Sequence, residues 1–508
     1  MGDNSTSGFG RRDFLKGVAS AVVTAGLIGT REAKAFSASS EELNLSRLVQ
    51  NRLLPHPMIA GSPKSEGYWQ RVRKSFVLPE NYLHLNTGTT GSPPLFTQIN
   101  LGVYNLQKSL DPRDWEKNLN SQYPDLFPIV PSARAARQTA VAAAYGANPD
   151  EIVLDYNTTD GLNLVFAGTP WKSGDRIITT SFEHPALAGP TAWARDYHGV
   201  QVAIIDIPSN FTASITVAEV LSWFEAELRK PLGAGNKQYV AFSEIFYKNG
   251  VRLPVKEISR LAKMYGAYVI VDSAHGWGQI PINVHDYGAD FIAGAGHKWL
   301  SGGPGTGILY VRNSGDNLPP FALGNFFSYG NLFVSPSVNF GNRNWSPAAT
   351  IQSRGEINTP AIYAMTDSLS FFTHIGLQNI YERGVDLGDY LKRKIEKRWG
   401  AQALWVQRNS DPAFATFLTS FSPFRGKDDS SQFPTINSAI TNIFTNMAAE
   451  TPKINIRSVT WRDKQTDPAD NRVGFRISTH AVYNNYEEID YLLERLVFHV
   501  DASGLAQL

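Results

Sequence analysis

The sequence has 508 residues, 42% of them hydrophobic and 18% charged, which is enough to form two hydrophobic cores. Lys and Arg number 47 against 46 Asp and Glu, and this balance excludes an extended basic surface for nucleic acid. The sequence contains no cysteine, which excludes disulfides, thiolate metal sites and cysteine nucleophiles.

The first 35 residues have the features of an export signal. Arg11-Arg12 precedes Phe-Leu-Lys, an apolar run from Val18 to Ile28 and the small-x-small sequence Ala33-Lys34-Ala35. The apolar run is shorter than the roughly 20 residues that span a bilayer, so we expect no stable membrane anchor. The pattern resembles a bacterial twin-arginine signal, which the twin-arginine translocation machinery reads to export folded proteins. It implies a periplasmic protein whose mature chain begins near Phe36.

Beyond residue 150, short apolar segments alternate with helical ones, and a Gly-rich turn follows a short strand at 82–85. Segments such as Tyr268-Val269-Ile270-Val271 are apolar throughout, which is typical of strands covered by helices on both faces. The alternation predicts an α/β fold with a mostly parallel, seven-stranded sheet. We place its strands at 151–154, 176–180, 202–205, 239–242, 268–271, 291–293 and 308–311.

After about residue 376 the pattern changes to long amphipathic helices, a few strands and a closing helix at 487–496, which together predict a smaller α+β domain. The predicted organisation therefore has five parts. These are a signal peptide at 1–35, an N-terminal segment at 36–95 that joins the small domain, a large domain at 96–350, a connecting segment at 351–375 and the small C-terminal domain at 376–508.

An acid follows one of the predicted strands and a lysine follows the next. Asp272 comes directly after 268–271, and His297-Lys298 comes after 291–293 and before a Gly-rich loop. Ligands of open α/β sheets bind beyond the carboxyl ends of the strands. A lysine among apolar and glycine residues is partly desolvated, which lowers its pKa and makes its amine a nucleophile. Taken singly, Lys298 could be a solvated lysine in a loop, and Asp272 could be a helix cap.

Taken together, Asp272-Ser-Ala-His275, His297-Lys298-Trp-Leu and the Gly-rich loop resemble the class V aminotransferase family of pyridoxal 5'-phosphate (PLP) enzymes. The resemblance extends over roughly residues 82–496 and is greatest to the isopenicillin N epimerase-like branch. It implies the type I PLP-dependent transferase fold and a Schiff base between PLP and Lys298. It also implies a homodimer with active sites at the subunit interface.

The resemblance identifies further contacts to PLP. Thr158 and Thr159 stand before an apolar helix that we expect to begin near Leu162, and they match the family's phosphate loop, although a plain helix cap would explain them too. Thr359 lies in a segment, 354–360, that resembles the one reaching the cofactor phosphate of a partner subunit.

Three other residues match positions around the cofactor ring, which Lys298 would hold. His184 matches the imidazole that stacks on the ring, Asp272 the acid at the pyridine nitrogen, and His275 a residue near the phenolic oxygen, while His297 is expected to contact the cofactor next to Lys298.

The substrate side of the site is assigned in the same way. Arg476, on a strand that we expect at the edge of the small domain, matches the family's clamp for the substrate carboxylate, which a guanidinium fork binds well. An arginine that pairs with a surface acid is the plainer explanation. Asn86 and Thr87 match the N-terminal turn that closes over the substrate.

The implied activity is that of a PLP-dependent aminotransferase-family enzyme that forms an external aldimine with an amino acid or a peptide-derived amine. Lys298, Asp272 and His184 are the expected catalytic residues, and the freed Lys298 would move protons at the α-carbon. Epimerisation, as in isopenicillin N epimerase, and a lyase reaction are the alternatives, and a non-catalytic PLP-binding protein is a remote one. The absence of cysteine argues against a persulfide-forming desulfurase, and no ligand spacing indicates a metal site.

Overall fold

The computed structural model describes residues 53–122, 133–313, 347–352, 356–461 and 471–508. The predicted signal peptide and the segment up to residue 52 lie outside these residues.

A seven-stranded sheet forms the centre of the structure. Its strands lie in the order β2-β8-β7-β6-β5-β3-β4, and every neighbouring pair is parallel except the two that β8 makes with β2 and β7. This arrangement confirms the predicted α/β fold with a mostly parallel sheet. The strands are β2 (Ile152–Asp155), β3 (Arg176–Thr180), β4 (Gln201–Ile205), β5 (Gln238–Ser243), β6 (Tyr268–Asp272), β7 (Phe291–Ala295) and β8 (Gly307–Val311).

The central strands of this sheet are buried on both faces, and successive side chains of a strand point to opposite faces. In β6, Val269 and Val271 belong to one hydrophobic cluster and Ile270 to another on the opposite side. Helices supply the covering layers on the two faces. Those between residues 95 and 352 are α2 (Leu95–Leu110), α3 (Trp115–Gln122), α4 (Ala133–Tyr145), α5 (Thr158–Gly168), α6 (Pro185–His198), α7 (Val217–Leu228), α8 (Val255–Met264), α9 (Val284–Tyr287) and α10 (Pro347–Gln352).

Most of the C-terminal part forms a second, smaller α+β assembly around its own hydrophobic cluster. Its elements are α12 (Leu377–Trp399), β9 (Leu418–Phe421), α13 (Phe433–Ala448), β10 (Lys453–Asn455), β11 (Arg457–Trp461), β12 (Arg472–Ser478) and α14 (Tyr486–Ala502). The preceding helix, α11 (Thr359–Ile375), packs instead in the largest hydrophobic cluster. The three-stranded antiparallel sheet has the order β11-β12-β9. Arg476 therefore lies on the central strand, and the prediction of an edge strand was wrong, because β9 and β11 pair with the two sides of β12.

The N-terminal segment is divided between the two assemblies. Strand β1 (Tyr82–His84) pairs in parallel with β10, and Leu83 and Leu85 belong to the small hydrophobic cluster. Helix α1 (Glu66–Arg73) instead contributes Tyr68 and Trp69 to the largest cluster. Only the part around β1 thus joins the small assembly, and the exact domain boundaries remain predictions.

Candidate active site

The predicted site residues meet where the parallel strands of the large sheet end. Asp272 is the last residue of β6, and Lys298 follows β7 after two residues. His184 precedes α6, after β3, and Thr158 is the first residue of α5, after β2. The fold thus brings together residues that are up to 140 positions apart at the carboxyl ends of four strands.

Lys298 is a partly buried lysine whose amine faces His275. Its Nζ lies 3.3 Å from His275 Nε2. Burial lowers the pKa of Lys298 to about 8, and although the nearby Asp272 opposes this shift, Arg476 and Arg457 reinforce it. A much larger share of this amine is therefore neutral near pH 8 than for an ordinary lysine, as a nucleophile requires.

Asp272 is buried, with 3% of its surface exposed. Its Oδ1 accepts a hydrogen bond of 2.9 Å from the backbone N–H of Ala274. Burial raises the pKa of this carboxyl, whereas the Ala274 N–H and the charge of Lys298 lower it. A cationic group placed against Asp272 would relieve the cost of burying the carboxylate, which is what a protonated pyridine nitrogen provides.

The tautomer of His275 is fixed by a tryptophan. The indole Nε1–H of Trp299 donates to His275 Nδ1 at 3.1 Å, so Nδ1 is an acceptor and the neutral ring carries its proton on Nε2. Burial, with the charge of Lys298 next in size, lowers the pKa of His275 well below its ordinary value, which keeps the ring neutral. His275 thus presents an N–H donor toward Lys298.

His184 and His297 both lie close enough to Lys298 to be affected by its charge. His184 caps α6, its Nδ1 accepting from the Ala186 N–H at 3.1 Å, and its ring meets Tyr247 edge-on at 4.7 Å. Burial and then the charge of Lys298 lower the pKa of His184 to about 4, so the ring is uncharged. Burial and Lys298 also lower the pKa of His297. That these rings contact the cofactor stays a prediction.

Thr158 and Thr159, the predicted phosphate contacts, lie in the first turn of a helix that begins earlier than predicted. Helix α5 begins at Thr158 and not near Leu162, because Asn157 Oδ1 accepts the N–H of Asp160 at 3.0 Å and caps it there. Within the described residues, the buried Thr158 Oγ1 has no hydrogen-bond partner. A buried hydroxyl without a partner at a helix N-terminus suits an anion, whereas Thr159 is exposed.

Among the described residues, the groups that hold Arg476 are all neutral oxygens. Its Nη1 donates to the Tyr247 carbonyl at 2.7 Å, and its Nη2 donates to Asn86 Oδ1 at 3.0 Å and Thr89 Oγ1 at 2.8 Å. It is 2% exposed, and its Nε has no partner among the described residues. This is not the surroundings of an arginine that pairs with a surface acid, and it leaves the charge available to a carboxylate.

The turn after β1 packs directly on the lysine loop, but Thr87 does not face the site as predicted. Its hydroxyl is fully buried and hydrogen-bonded to the Tyr483 hydroxyl. Thr89, two residues later, is the threonine of this turn that accepts a hydrogen bond from Arg476. Gly91 allows the close approach, because its N–H donates to the His297 carbonyl at 2.8 Å and a Cβ there would lie 2.1 Å from the Lys298 carbonyl oxygen.

Thr359 begins α11, and its hydroxyl accepts from Lys108 Nζ at 3.4 Å. The neighbouring Arg354 and Gly355 of the predicted phosphate segment lie outside the described residues. The contact of Thr359 with a partner subunit's cofactor stays a prediction.

Sequence analysis did not identify three residues of this cluster, namely Thr89, Arg457 and Trp299. Trp299 directly follows the lysine, so its place in the motif was the available signal. Thr89 reaches the site through the turn after β1, and Arg457 reaches it through the pairing of β11 with β12. Neither the turn nor the pairing has a local signature in the sequence.

Two further findings concern the described residues as a whole. They include no helix that is long and apolar enough to cross a membrane. They also include no group of three or more His, Cys, Asp or Glu side chains that could hold a metal ion.

Comparison with known families gives a match to the aminotransferase class-V model over residues 117–433, more than half of the chain. The chain belongs to the class V aminotransferase family. This family is PLP-dependent, and membership confirms the predicted class of enzyme and its cofactor. The residues of the site fit PLP, because a nucleophilic lysine, a buried acid and a buried hydroxyl without a partner lie together.

Among class V aminotransferase relatives, the chain is similar to a hercynylcysteine sulfoxide lyase from Schizosaccharomyces pombe, with 27% identity over 254 residues. It is also similar to a cysteine desulfurase from Shigella sonnei, with 28% identity over 251 residues. Each match covers 49% of this chain, and the matched part spans 59% of the lyase and 57% of the desulfurase. The chain thus spans little more than half the length of these relatives.

Solved structures with the same fold include a mutant of C-DES with glycine covalently linked to its PLP cofactor, at a TM-score of 0.64 and 20% identity. This match covers 84% of the chain and 98% of C-DES. A cysteine desulfurase from Thermococcus onnurineus matches with a TM-score of 0.61 and 20% identity over 86% of the chain and 98% of its own. These likenesses confirm the type I fold.

Proposed function

We propose that this class V aminotransferase acts on the α-carbon of an amino acid or a peptide-derived amine, with aminotransfer as its reaction. The observation that carries the proposal is the convergence of Lys298, Asp272 and Arg476 at one end of the sheet. These three provide a nucleophilic amine, an acid for the ring nitrogen and a cation for the substrate carboxylate.

Bound PLP supplies an electron sink for the negative charge that develops at the α-carbon of an amino acid. Asp272 would keep the proton on the ring nitrogen, and Thr158 would bind the phosphate. His275 offers its Nε2–H to an acceptor beside Lys298 Nζ. Arg476 would orient the substrate by its carboxylate.

Lys298 serves twice in this proposal. Its neutral amine, with a pKa of about 8, would hold the cofactor. The same Nζ, when free, would be the base that takes a proton from the α-carbon and returns it elsewhere. His275 Nε2, 3.3 Å away, fixes the amine in position for this transfer.

A lyase reaction is the second candidate, since the chain resembles a hercynylcysteine sulfoxide lyase over half its length. A desulfurase that passes sulfur to its own thiolate is not proposed, because the sequence has no cysteine. Epimerisation rests only on the branch that the sequence resembles. Arg476, buried with its charge unpaired by any described acid, argues against a non-catalytic PLP-binding protein.

The reaction is tested with PLP-loaded protein and a panel of amino acids, each mixed with an oxo-acid acceptor. Aminotransfer gives a new amino acid from the acceptor, a lyase gives ammonia or a cleaved side chain, and an epimerase gives the opposite enantiomer. If no amine in the panel changed the visible spectrum of the bound cofactor, the proposed function would be refuted.

Arg476→Ala should raise KM by about 10- to 100-fold, the loss expected for hydrogen bonds to a charged group. The fall in kcat should be smaller, because the carboxylate is bound both before and during the reaction. Steady-state kinetics on the substrate found in the panel gives both constants. Arg476→Lys, which retains the charge without the fork, should have an intermediate KM. An unchanged KM in Arg476→Ala would show that this arginine is structural.

We further propose that the protein is a periplasmic homodimer exported by the twin-arginine machinery. Support for export is the Arg11-Arg12 pattern with its short apolar run and Ala-x-Ala sequence. Support for the dimer is Thr359, which stands at the start of α11 in the segment that the family uses between subunits.

Replacing Arg11 and Arg12 by Lys should leave the precursor in the cytoplasm with PLP bound, because folded export depends on the arginine pair. Cell fractionation followed by immunoblotting measures the distribution. Arg31→Lys, in the same leader but outside the pair, is the matched control and should be exported. Normal periplasmic levels of the double variant would exclude the twin-arginine route.

A further inference from the structure

Two guanidinium groups meet at one hydroxyl on the substrate side of the site. Arg457 on β11 lies directly opposite Arg476 on β12. Arg476 donates to Thr89 Oγ1 at 2.8 Å, and Arg457 Nη1 donates to the same oxygen at 3.1 Å. The Thr89 hydroxyl gives its own proton to Asn86 Oδ1 at 2.8 Å. Both lone pairs and the proton of this hydroxyl are thus in use, and every acceptor around the arginine pair is a neutral oxygen.

The charged form of Arg476 is disfavoured by its surroundings. Burial, and after it the charge of Arg457, lower the pKa of Arg476 to about 9. Arg457 also lowers the pKa values of Lys298 and His184, after the larger effects of burial. Among the described residues, no carboxylate acts on Arg476, and Asp272 is the one that acts on Lys298.

One buried guanidinium is enough to bind the α-carboxylate of a substrate, since its fork matches both oxygens. A second cation beside it opposes the charged form of the first and so has to be stabilised by something else. The two differ in depth, because Arg476 is buried while Arg457 is exposed. An inner carboxylate on Arg476 and a second anion farther out on Arg457 would neutralise both.

We propose that Arg457 is a second anion-binding residue and that the substrate is an amino acid carrying an additional carboxylate on its side chain. The inference rests on the proposed function in one respect, which is that Arg476 binds the α-carboxylate. Arg457 then selects among amino acids by charge at the open side of the site.

The test uses isothermal titration of PLP-loaded protein with glutarate and with pentanoate, which have equal numbers of carbons and differ in one carboxylate. Glutarate should bind about two- to fivefold more tightly, as an added exposed ion pair allows. Arg457→Gln should abolish this preference, so that the two acids bind with similar affinity. Arg457→Lys should retain part of the preference. Because Arg457 is exposed, these variants should fold.

Lys453→Gln is the matched control, since Lys453 is an exposed cation on the neighbouring β10. It should keep the preference for glutarate. Equal affinities of the two acids for the unchanged protein would overturn the proposal, and so would an equal loss in Lys453→Gln and Arg457→Gln, which would reflect bulk charge alone. Neither acid has an amine, so neither can react as a substrate. The result of the titration is therefore independent of the amino-acid panel that tests the proposed function.

Discussion

Lys298→Ala is expected to lose all covalently attached PLP. Borohydride reduction of the unchanged protein should fix the cofactor to the peptide that contains Lys298, and mass spectrometry of the digested protein should find none in the variant. The reason is that Nζ of Lys298 faces His275 and burial lowers its pKa to about 8, so the amine is positioned and about half of it is neutral at pH 8. Turnover should fall to the background, because the same amine moves the proton at the α-carbon.

Lys392 provides the matched control. Burial lowers the pKa of this lysine on α12 to about 8 as well, so its amine is as readily deprotonated as that of Lys298. Its charged neighbours are Asp389, Glu396 and Arg408, and its helix packs in the small assembly. Lys392→Met should therefore retain PLP on the Lys298 peptide. Labelling of the Lys392 peptide in the unchanged protein or in Lys298→Ala would show that a low pKa alone selects the lysine.

The attachment of PLP to Lys298 should depend on pH. The neutral amine is the nucleophile, and the pKa of Lys298 is lowered to about 8, so the neutral fraction rises through pH 8 and levels off above it. The rate of PLP attachment to cofactor-free protein should follow this curve, measured by the appearance of the visible band. An ordinary lysine would continue to gain reactivity up to about pH 10.4. A rate that still climbs steeply above pH 9 would contradict the desolvation of Lys298.

The large sheet could be predicted because its strands are buried on both faces. A run such as β6 is apolar at every position, and the alternation with helices allows few arrangements. Asp272 and Lys298 were predictable for the same reason, since each directly follows a strand whose position the sequence reveals. The residues that come directly after strands of a parallel sheet share one edge of it.

The small assembly was harder to predict because its sheet is formed by pairings distant in sequence. Strand β12 contains Arg472, Gly474 and Arg476 and looks like an edge strand, yet β9 and β11 pair with its two sides. The geometry of the turn after β1 is equally hard to predict from the sequence. Thr87 and Thr89 are two threonines of one turn, and only the packing of Tyr483 decides that the first is buried and the second faces Arg476.

Asp272→Asn should leave PLP attached to Lys298 and reduce kcat by about 10²–10³-fold, the loss typical of removing one preorganised electrostatic partner. The carboxylate ends β6 in a buried position, where it would hold the proton on the ring nitrogen, and an amide of the same size cannot carry that charge. Binding of the substrate carboxylate depends on Arg476, so KM should change little.

Asp290→Asn is the control for a buried carboxylate on the same sheet. Asp290 accepts the Val269 N–H at 2.7 Å and pairs with Lys263, just ahead of β7 and at the opposite end of the strands from the site. Its replacement should lower the melting temperature and leave kcat nearly unchanged, because no site residue touches it. Steady-state kinetics and thermal unfolding of both variants separate the two effects. A kcat in Asp272→Asn that equals that of the unchanged protein would remove Asp272 from the mechanism, whereas a deep loss in kcat with PLP still attached would place its carboxylate in the chemical step.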